Sequence, residues 1–367
     1  MTQDDKIKYA VEHPEMGRDR LAKVLNIGIS EARELVGFRK RALESKAIKV
    51  VNQDILKFIN SGVYSITDIA NRFDMSPSKV EIELATLKEQ GYIINTIDGK
   101  HTAGDTLDKA DNIKIDYKKH GEKEICIGVI ADTHLCSKYA RLDVLNALYD
   151  RYADYGIKDV YLCGNWIDGE ARFNKGDLLV HGLQNQVNYF IDEFPQREGI
   201  TSHILSGDDH EGWYVQRENI NIGKFLQNEA KSQGRDDLID IGYMERDFDL
   251  TQKGGSSTMR VIHAGGGSAY ALSYSTQKYN ISLQGGEKPS IIFVGHYHKF
   301  DYHYDREIHT VQVGCLCDQT PFMRKRKLQA HLGGCVAWIK QADNGIITSF
   351  KVEWIPFYDK KYYEYQW

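Results

Sequence analysis

The sequence predicts an α/β protein with a small, mainly α-helical region ahead of it. Three observations lead there. At 367 residues the chain is too long for one ordinary small domain. Up to about residue 120 the apolar positions recur at helical spacing among polar residues. Beyond it, apolar runs of strand length, punctuated by glycine, alternate with helical stretches. A composition of 41% hydrophobic and 27% charged residues is that of a folding chain, not a disordered one. No apolar run approaches the roughly 18–20 residues that span a bilayer. Met1–Asp5 is acidic and has no apolar centre, so neither membrane association nor a signal peptide is expected. A net charge of -5 excludes a globally basic nucleic-acid binder and leaves only a local contact patch. Cys126, Cys136, Cys163, Cys315, Cys317 and Cys335 are expected as free thiols in a reducing, cytoplasmic setting. Cys315-Leu-Cys317 is too closely spaced for a zinc knuckle.

Residues 1–50 read as a helix-turn-helix. Leu21, Ala22, Val24 and Leu25 form one apolar face, and Asn26-Ile27-Gly28-Ile29 is the turn. Ser30 caps a second helix carrying Ala32, Leu35 and Val36 inward. Residues 51–104 read as a second unit. A helix over Asp54–Ile59 precedes one capped by Thr67. Asp74-Met75-Ser76 turns into a third helix with Pro77 at its first position and Val80, Ile82, Leu84 and Leu87 inward. Gly91 ends that helix. Tyr92–Ile97 alternates as a strand and Asp98-Gly99 is a hairpin turn. This second unit resembles a winged helix-turn-helix domain. Such helices enter DNA grooves, and they also mediate protein contacts. Glu81, Glu83 and Glu89 suit phosphate poorly, whereas Arg33, Arg39, Lys40 and Arg41 make the first unit more basic. Residues 105–122, polar and weakly periodic, read as a linker before a catalytic domain over 123–367.

Within that domain the strands share one feature. Ile125–Ile130 ends in Ala131-Asp132-Thr133-His134. After a helix over Leu142–Tyr155, Val160–Cys163 ends in Gly164-Asn165-Trp166-Ile167-Asp168. Ile200–Leu205 ends in Ser206-Gly207-Asp208-Asp209-His210-Glu211. Met259–Ile262 ends in His263 and a Gly265-Gly266-Gly267 run, and Ile291–Val294 ends in Gly295-His296-Tyr297-His298. Ligands of α/β sheets collect at carboxyl ends of strands. Five such ends bearing oxygen and imidazole groups suit a borderline divalent ion. The ligands are too many for one ion, so two are implied, a pairing that clamps both oxygens of a phosphoryl displacement. Mn2+ is the leading expectation, with Fe2+, Zn2+ and Ni2+ as alternatives.

These motifs, D-x-H, G-N-x-x-D, G-D-D-H-E, H and G-H-x-H in that order over Glu124–Val352, resemble the calcineurin-like metallophosphoesterase superfamily. The stretches GNWIDGEARFNKGDLLVHG and GDDHEGWYVQRE resemble phage-type members, for which the location would be the host cytoplasm. The resemblance implies a four-layer fold, a β-sandwich flanked by helices, and hydrolysis by a metal-bound hydroxide. It implies Asp132, His134 and His298 on one metal, His263 and His296 on the other, and His210 assisting the leaving group. Asp168 is then an outer residue that orients a ligand. Where the family has a bridging Asp this chain has Asn165, and where the family has Asn it has Asp209. This exchange conserves the carboxylate count, with Asp208 as a competing donor; the alternative is an inactivated site.

For substrate, Arg172, Arg217, Arg324 and Arg326 are candidate phosphate contacts, and Trp166, Trp213 and Tyr214 candidate base-stacking rings. The aromatic end from Trp354 reads as a last strand with a docked tail, and homo-oligomers are admitted. The leading function is a dinuclear metal-dependent phosphodiesterase on nucleic acid, a DNA nuclease. The alternatives are a phosphomonoesterase or small-molecule phosphodiesterase, and a DNA-binding protein with a degenerate metal site.

Overall fold

The computed structural model describes Lys6, Tyr9, His13 and residues 18–29, 31–33, 35–36, 53–104, 111–115, 124–267 and 269–357. Ser30, Arg39, Lys40, Arg41 and the tail over 358–367 lie outside the described residues. Two compact units emerge, Met1–Gly104 and Asp105–Trp367.

In the first unit α1 (Arg18–Leu25) buries Leu21 against Ala32 and Leu35. Val24, expected on that face, is 50% exposed. Further along come α2 (53–60), β1 (Tyr64–Ser65), α3 (Ile66–Phe73), α4 (Pro77–Glu89) and the hairpin β2 (Ile94–Ile97) and β3 (Lys100–Ala103). The N-cap of α3 is Ser65, two residues before the expected Thr67. The Ser65 hydroxyl accepts from the Asp68 amide and the Asp68 carboxylate accepts from the Ser65 amide, a reciprocal pair at the helix start, whereas Thr67 already lies inside the helix. Helix α4 starts at Pro77 under a Ser76 cap. It buries Val80, Leu84 and Leu87 together with Ile55, Ile59 and Ile69. Ile82 was expected inward; two residues on from Val80 it falls on the opposite flank and is 64% exposed. Asp98 and Gly99 both adopt positive φ (48° and 74°), the geometry of a tight two-residue hairpin.

The second unit holds two six-stranded mixed sheets. One has the order β15-β14-β5-β6-β7-β8, the other β12-β13-β11-β10-β9-β4. In the first, β5 (Glu124–Ile130), β6 (Asp159–Cys163), β7 (Thr201–Ser206) and β8 (Leu238–Tyr243) run parallel. The hairpin β14 (Gly333–Gln341) and β15 (Ile347–Pro356) adds antiparallel to β5 and takes in Trp354. In the second sheet β10 (Gly255–His263), β11 (Ile291–Gly295) and β13 (Ile308–Gln312) are parallel. The strands β9 (Glu245–Gln252) and β12 (Asp301–Asp305) pair antiparallel to β10 and β13. The segment read as a linker contributes β4 (Ile113–Ile115), parallel to β9, because Ile113 and Ile115 reach the core. Three residues are too few for alternation to be legible in sequence.

Ile127, Val129, Tyr161 and Leu205 of the first sheet share one core with Phe248, Val261 and Phe293 of the second. Helices α5 (Leu142–Asp154), α6 (Leu183–Glu193), α7 (Gly212–Glu218) and α8 (Ile222–Ser232) connect strands of the first sheet. Helix α9 (Tyr274–Ser282) covers the second, with Tyr279 against Ile262, Ile292 and Val294. Both faces of the central strands are therefore buried, which is why they read as continuous apolar runs. The expected four-layer α/β arrangement is the one observed. A short α10 (Pro321–Arg326) precedes β14, and no helix among the described residues is long and apolar enough to cross a membrane.

Candidate metal centre

Register brings the strand ends together. Ile130 pairs with Leu162, so the turn after β5 lies beside the turn after β6. The Asp132 amide donates to Gly164 O at 3.1 Å and the His134 amide to Asn165 O at 2.9 Å. In the other sheet His263 pairs with Gly295, which sets His296 next to it. The five ends do not belong to one sheet; two ends come from the second sheet and meet three from the first.

Chain direction changes sharply at these ends. Asp132, His134, Asn165, His210, His296 and His298 all hold positive φ, between 44° and 87°. Each such non-glycine residue costs roughly 1–3 kcal/mol, and strain of this kind concentrates where side-chain direction matters for function. Gly164, also at positive φ (83°), and Gly207 leave room for the His263 ring; a Cβ on Gly207 would meet that ring at 2.6 Å.

Two groups of donors result. In the first, the Nε2 atoms of His134 and His298 lie 3.2 Å apart and face Asp132 Oδ1 at 3.9 and 3.4 Å. His134 Nδ1 donates to Asp168 Oδ1 at 2.9 Å, which frees Nε2 as a ligand atom. In the second, Asp209 lies with Oδ1 3.1 Å from His263 Nε2 and Oδ2 3.4 Å from His296 Nδ1. The remaining ring nitrogens donate to Cys163 O (2.7 Å, from His263) and Gly266 O (2.7 Å, from His296), fixing both tautomers. Of the two adjacent carboxylates, Asp209 joins this group. Asp208 does not line the cleft, and its backbone carbonyl accepts from Gln216 Nε2 at 2.9 Å.

The donor set fits metal ions. Asp132 Oδ1, Asn165 Oδ1 and His296 Nδ1 are buried and make no hydrogen bond. An unsatisfied buried polar atom costs roughly 1–3 kcal/mol, and three ligand-type atoms in one place match what cations would satisfy. Burial would raise the Asp132 carboxyl, but His298, with His263 and His134, holds it at about 2. Asp209 is likewise pulled well below the ordinary carboxylate range, against burial, by His263 and His296. Burial and the neighbouring His210 depress His134 to about 4.

His210 lines the cleft beside these groups. Its Nδ1 lies 2.9 Å from Asp168 O and 3.4 Å from Asp168 Oδ1. Burial disfavours its charge, yet Asp168 and Asp209 raise it to about 9. Asn174 Nδ2 donates to Asp168 Oδ2 at 3.1 Å and fixes that carboxylate.

Glu211, two residues beyond Asp209, is a further site residue whose role local spacing does not assign. It is fully buried, and its Oε1 accepts from the amides of Asn165 (2.9 Å) and Gly207 (2.7 Å). One oxygen thus ties the ends of β6 and β7 together. Asn174 and Cys317, whose Sγ lies 3.7 Å from His298 Nδ1, were also missed. Their loops carry no periodic signal.

The cleft has a volume of about 610 Å3 and is lined by Asn165, Asp209, His210, His296 and His298 among others. Of the candidate phosphate contacts only Arg326 lines it. Arg172 is exposed and outside the lining although its neighbour Phe173 is in it, Arg217 lies over the Tyr214 ring and Arg324 donates to Gln319 O. Trp166 and Tyr214, expected to stack bases, are core residues at 0% and 2% exposure; Trp213 does reach the cleft. The run Arg324–Lys327 forms the last turn and C-cap of α10. All six cysteines are free thiols.

A family model described as bacterial regulatory protein, arsR family, matches residues 53–95. No curated protein matches the chain. Among solved structures, the chain is similar to a novel archaeal phosphodiesterase (12% identity, 63% of this chain and 100% of that one, TM-score 0.34). It is also similar to Vps29 of Entamoeba histolytica, solved with Zn2+ (13%, 63% and 99%, TM-score 0.29). A third is the 5'-nucleotidase precursor of Thermus thermophilus (12%, 64% and 54%, TM-score 0.32).

Proposed function

We propose that the chain is a metal-dependent phosphodiesterase that hydrolyses nucleic-acid phosphodiesters, with DNA as its substrate. One observation carries the reading. The donors Asp132, His134 and His298 gather at one end of the strands beside Asp209, His263 and His296, and three buried atoms of ligand type there, Asp132 Oδ1, Asn165 Oδ1 and His296 Nδ1, make no protein hydrogen bond. These two triads would each hold an ion, and Asn165 Oδ1 would add a neutral oxygen. Mn2+ suits this mixture of carboxylate, amide and imidazole, and Zn2+, Fe2+ and Ni2+ share the preference. Bound there, two ions would supply Lewis acidity toward the phosphoryl oxygens of a diester.

The chain's own residues do the rest. Asp209 supplies the carboxylate that Asn165 does not. Asp168 orients His134 through Nδ1. His210, with Nδ1 held at the Asp168 carbonyl, has Nε2 to give a proton to the departing alkoxide. The unit matching the arsR description would deliver DNA; Lys79 and Lys88 are exposed on α4, beside Glu81 and Glu89.

The test is Mn2+-dependent cleavage of labelled DNA beside bis(p-nitrophenyl) phosphate and p-nitrophenyl phosphate, with His210→Ala as control. Cleavage of DNA and the diester, lost in the variant, supports the reading. Turnover of the monoester alone assigns a phosphomonoesterase, and binding without turnover a degenerate site; either overturns it.

A further inference from the structure

The chemistry above leaves unused a set of rings at the mouth of the same cleft. Trp213 stacks on His210 with centroids 4.7 Å apart and planes at 29°. Phe173 meets Trp213 edge-on at 5.5 Å. From α10, Phe322 lines the cleft as well, with the Arg326 guanidinium 5.7 Å from its ring. Phe173 is 72% exposed and Phe322 58%. Single exposed apolar residues are ordinary. Two phenylalanines mostly open to solvent in one cleft, beside ligand-type residues, present ring surface that the fold does not use.

We propose that Phe173 and Phe322 are stacking platforms for unpaired bases, so that the site takes single-stranded or locally opened nucleic acid in preference to intact duplex. This rests on the phosphodiesterase reading and names its substrate. In a duplex each base face is already covered by its neighbours, so only a base outside the stack can meet these rings. The cleft volume of about 610 Å3 falls within the roughly 300–1,000 Å3 typical of pockets enclosing small ligands, the scale of a nucleotide rather than of a double helix. Arg326 adds a guanidinium beside Phe322 for the accompanying phosphate. The path His210, Trp213, Phe173 leads from the proposed proton donor out to the first platform through ring contacts.

The experiment uses the full chain as His210→Ala with Mn2+, which slows cleavage, and gel analysis after each titration verifies that the oligonucleotide is uncut. Fluorescence anisotropy compares a labelled single-stranded oligonucleotide with an abasic strand of the same length and charge, and with duplex. The expected result is at least about tenfold tighter binding of the base-bearing strand than of the abasic one. Adding Phe173→Leu and Phe322→Leu should reduce that ratio to near unity. Both side chains are largely exposed, and an unchanged melting temperature verifies folding. Equal affinity for base-bearing and abasic strands, or a preference untouched by the Leu changes, overturns the proposal. Turnover of bis(p-nitrophenyl) phosphate by the unmodified chain separately tests the phosphodiesterase reading, so the two failures are distinguishable.

Discussion

Asp209 Oδ1 and His263 Nε2 lie 3.1 Å apart although β7 and β10 belong to different sheets. His263 is also bonded through Nδ1 to Cys163 O, at the end of β6. The imidazole of one sheet is thus clamped between two strand ends of the other, and the second ligand group exists only where the sheets meet.

Metal stoichiometry should follow from that junction. The unmodified chain is expected to bind two Mn2+ by calorimetry, and Asp209→Ala one. Asn165→Asp places a formal charge where a neutral oxygen stands. It should tighten Mn2+ binding on the order of tenfold, about 1.4 kcal/mol. Unchanged stoichiometry in Asp209→Ala would remove this carboxylate from the site.

His210→Ala should lower kcat for a diester by roughly 10²–10⁴ while leaving Mn2+ content at the wild-type value. Added imidazole should restore part of the rate. A variant that instead loses metal would identify His210 as a ligand.

Glu211→Ala strips the acceptor from two buried amides, those of Asn165 and Gly207. At roughly 1–3 kcal/mol per orphaned group the loss is about 2–6 kcal/mol. Glu211→Gln retains an oxygen acceptor and should lose much less. Chemical denaturation of the three proteins measures the order; equal losses would show that this acceptor is not what holds the two ends.

Ser65→Ala should cost the first unit roughly 0.5–2 kcal/mol, and Thr67→Ala far less, since Ser65 is the cap. The side chain and amide of Ser65 hold the Asp68 carboxyl below its ordinary value. A depressed folded-state value means that this contribution is complete above the unfolded value near 3.8 and is lost as pH falls through the folded one. The gap in melting temperature between wild type and Ser65→Ala should therefore narrow as pH falls below about 4, leaving the part that comes from the hydroxyl's bond to the Asp68 amide. A constant gap down to strongly acid pH would contradict the box.

The candidate site was legible in sequence because its chemistry is local. A ligand-type residue stands within four residues of the end of each apolar run, at Asp132, Asn165, Asp209, His263 and His296, and a strand end is visible without knowing its neighbours. Glu211 carried the same local signal and needed only its place two residues beyond Asp209 to be noticed. Ring burial was not legible. Trp166 and Phe173 stand seven residues apart in one loop region, yet one is fully buried and the other 72% exposed. Trp166 packs on Phe190 and donates to Ser206, partners distant in the chain.

By itself the sequence determined the α/β class, the helix-turn-helix region and the residue types at the strand ends, since each depends on spacing along a few turns or one strand. Tertiary structure decided the rest. It divided the five ends between two sheets, chose Asp209 over Asp208 and reduced four candidate arginines to Arg326 at the cleft. It also made β4 from a supposed linker. These outcomes depend on which distant surfaces come into contact, and contact between residues remote in the chain leaves no periodic trace along it.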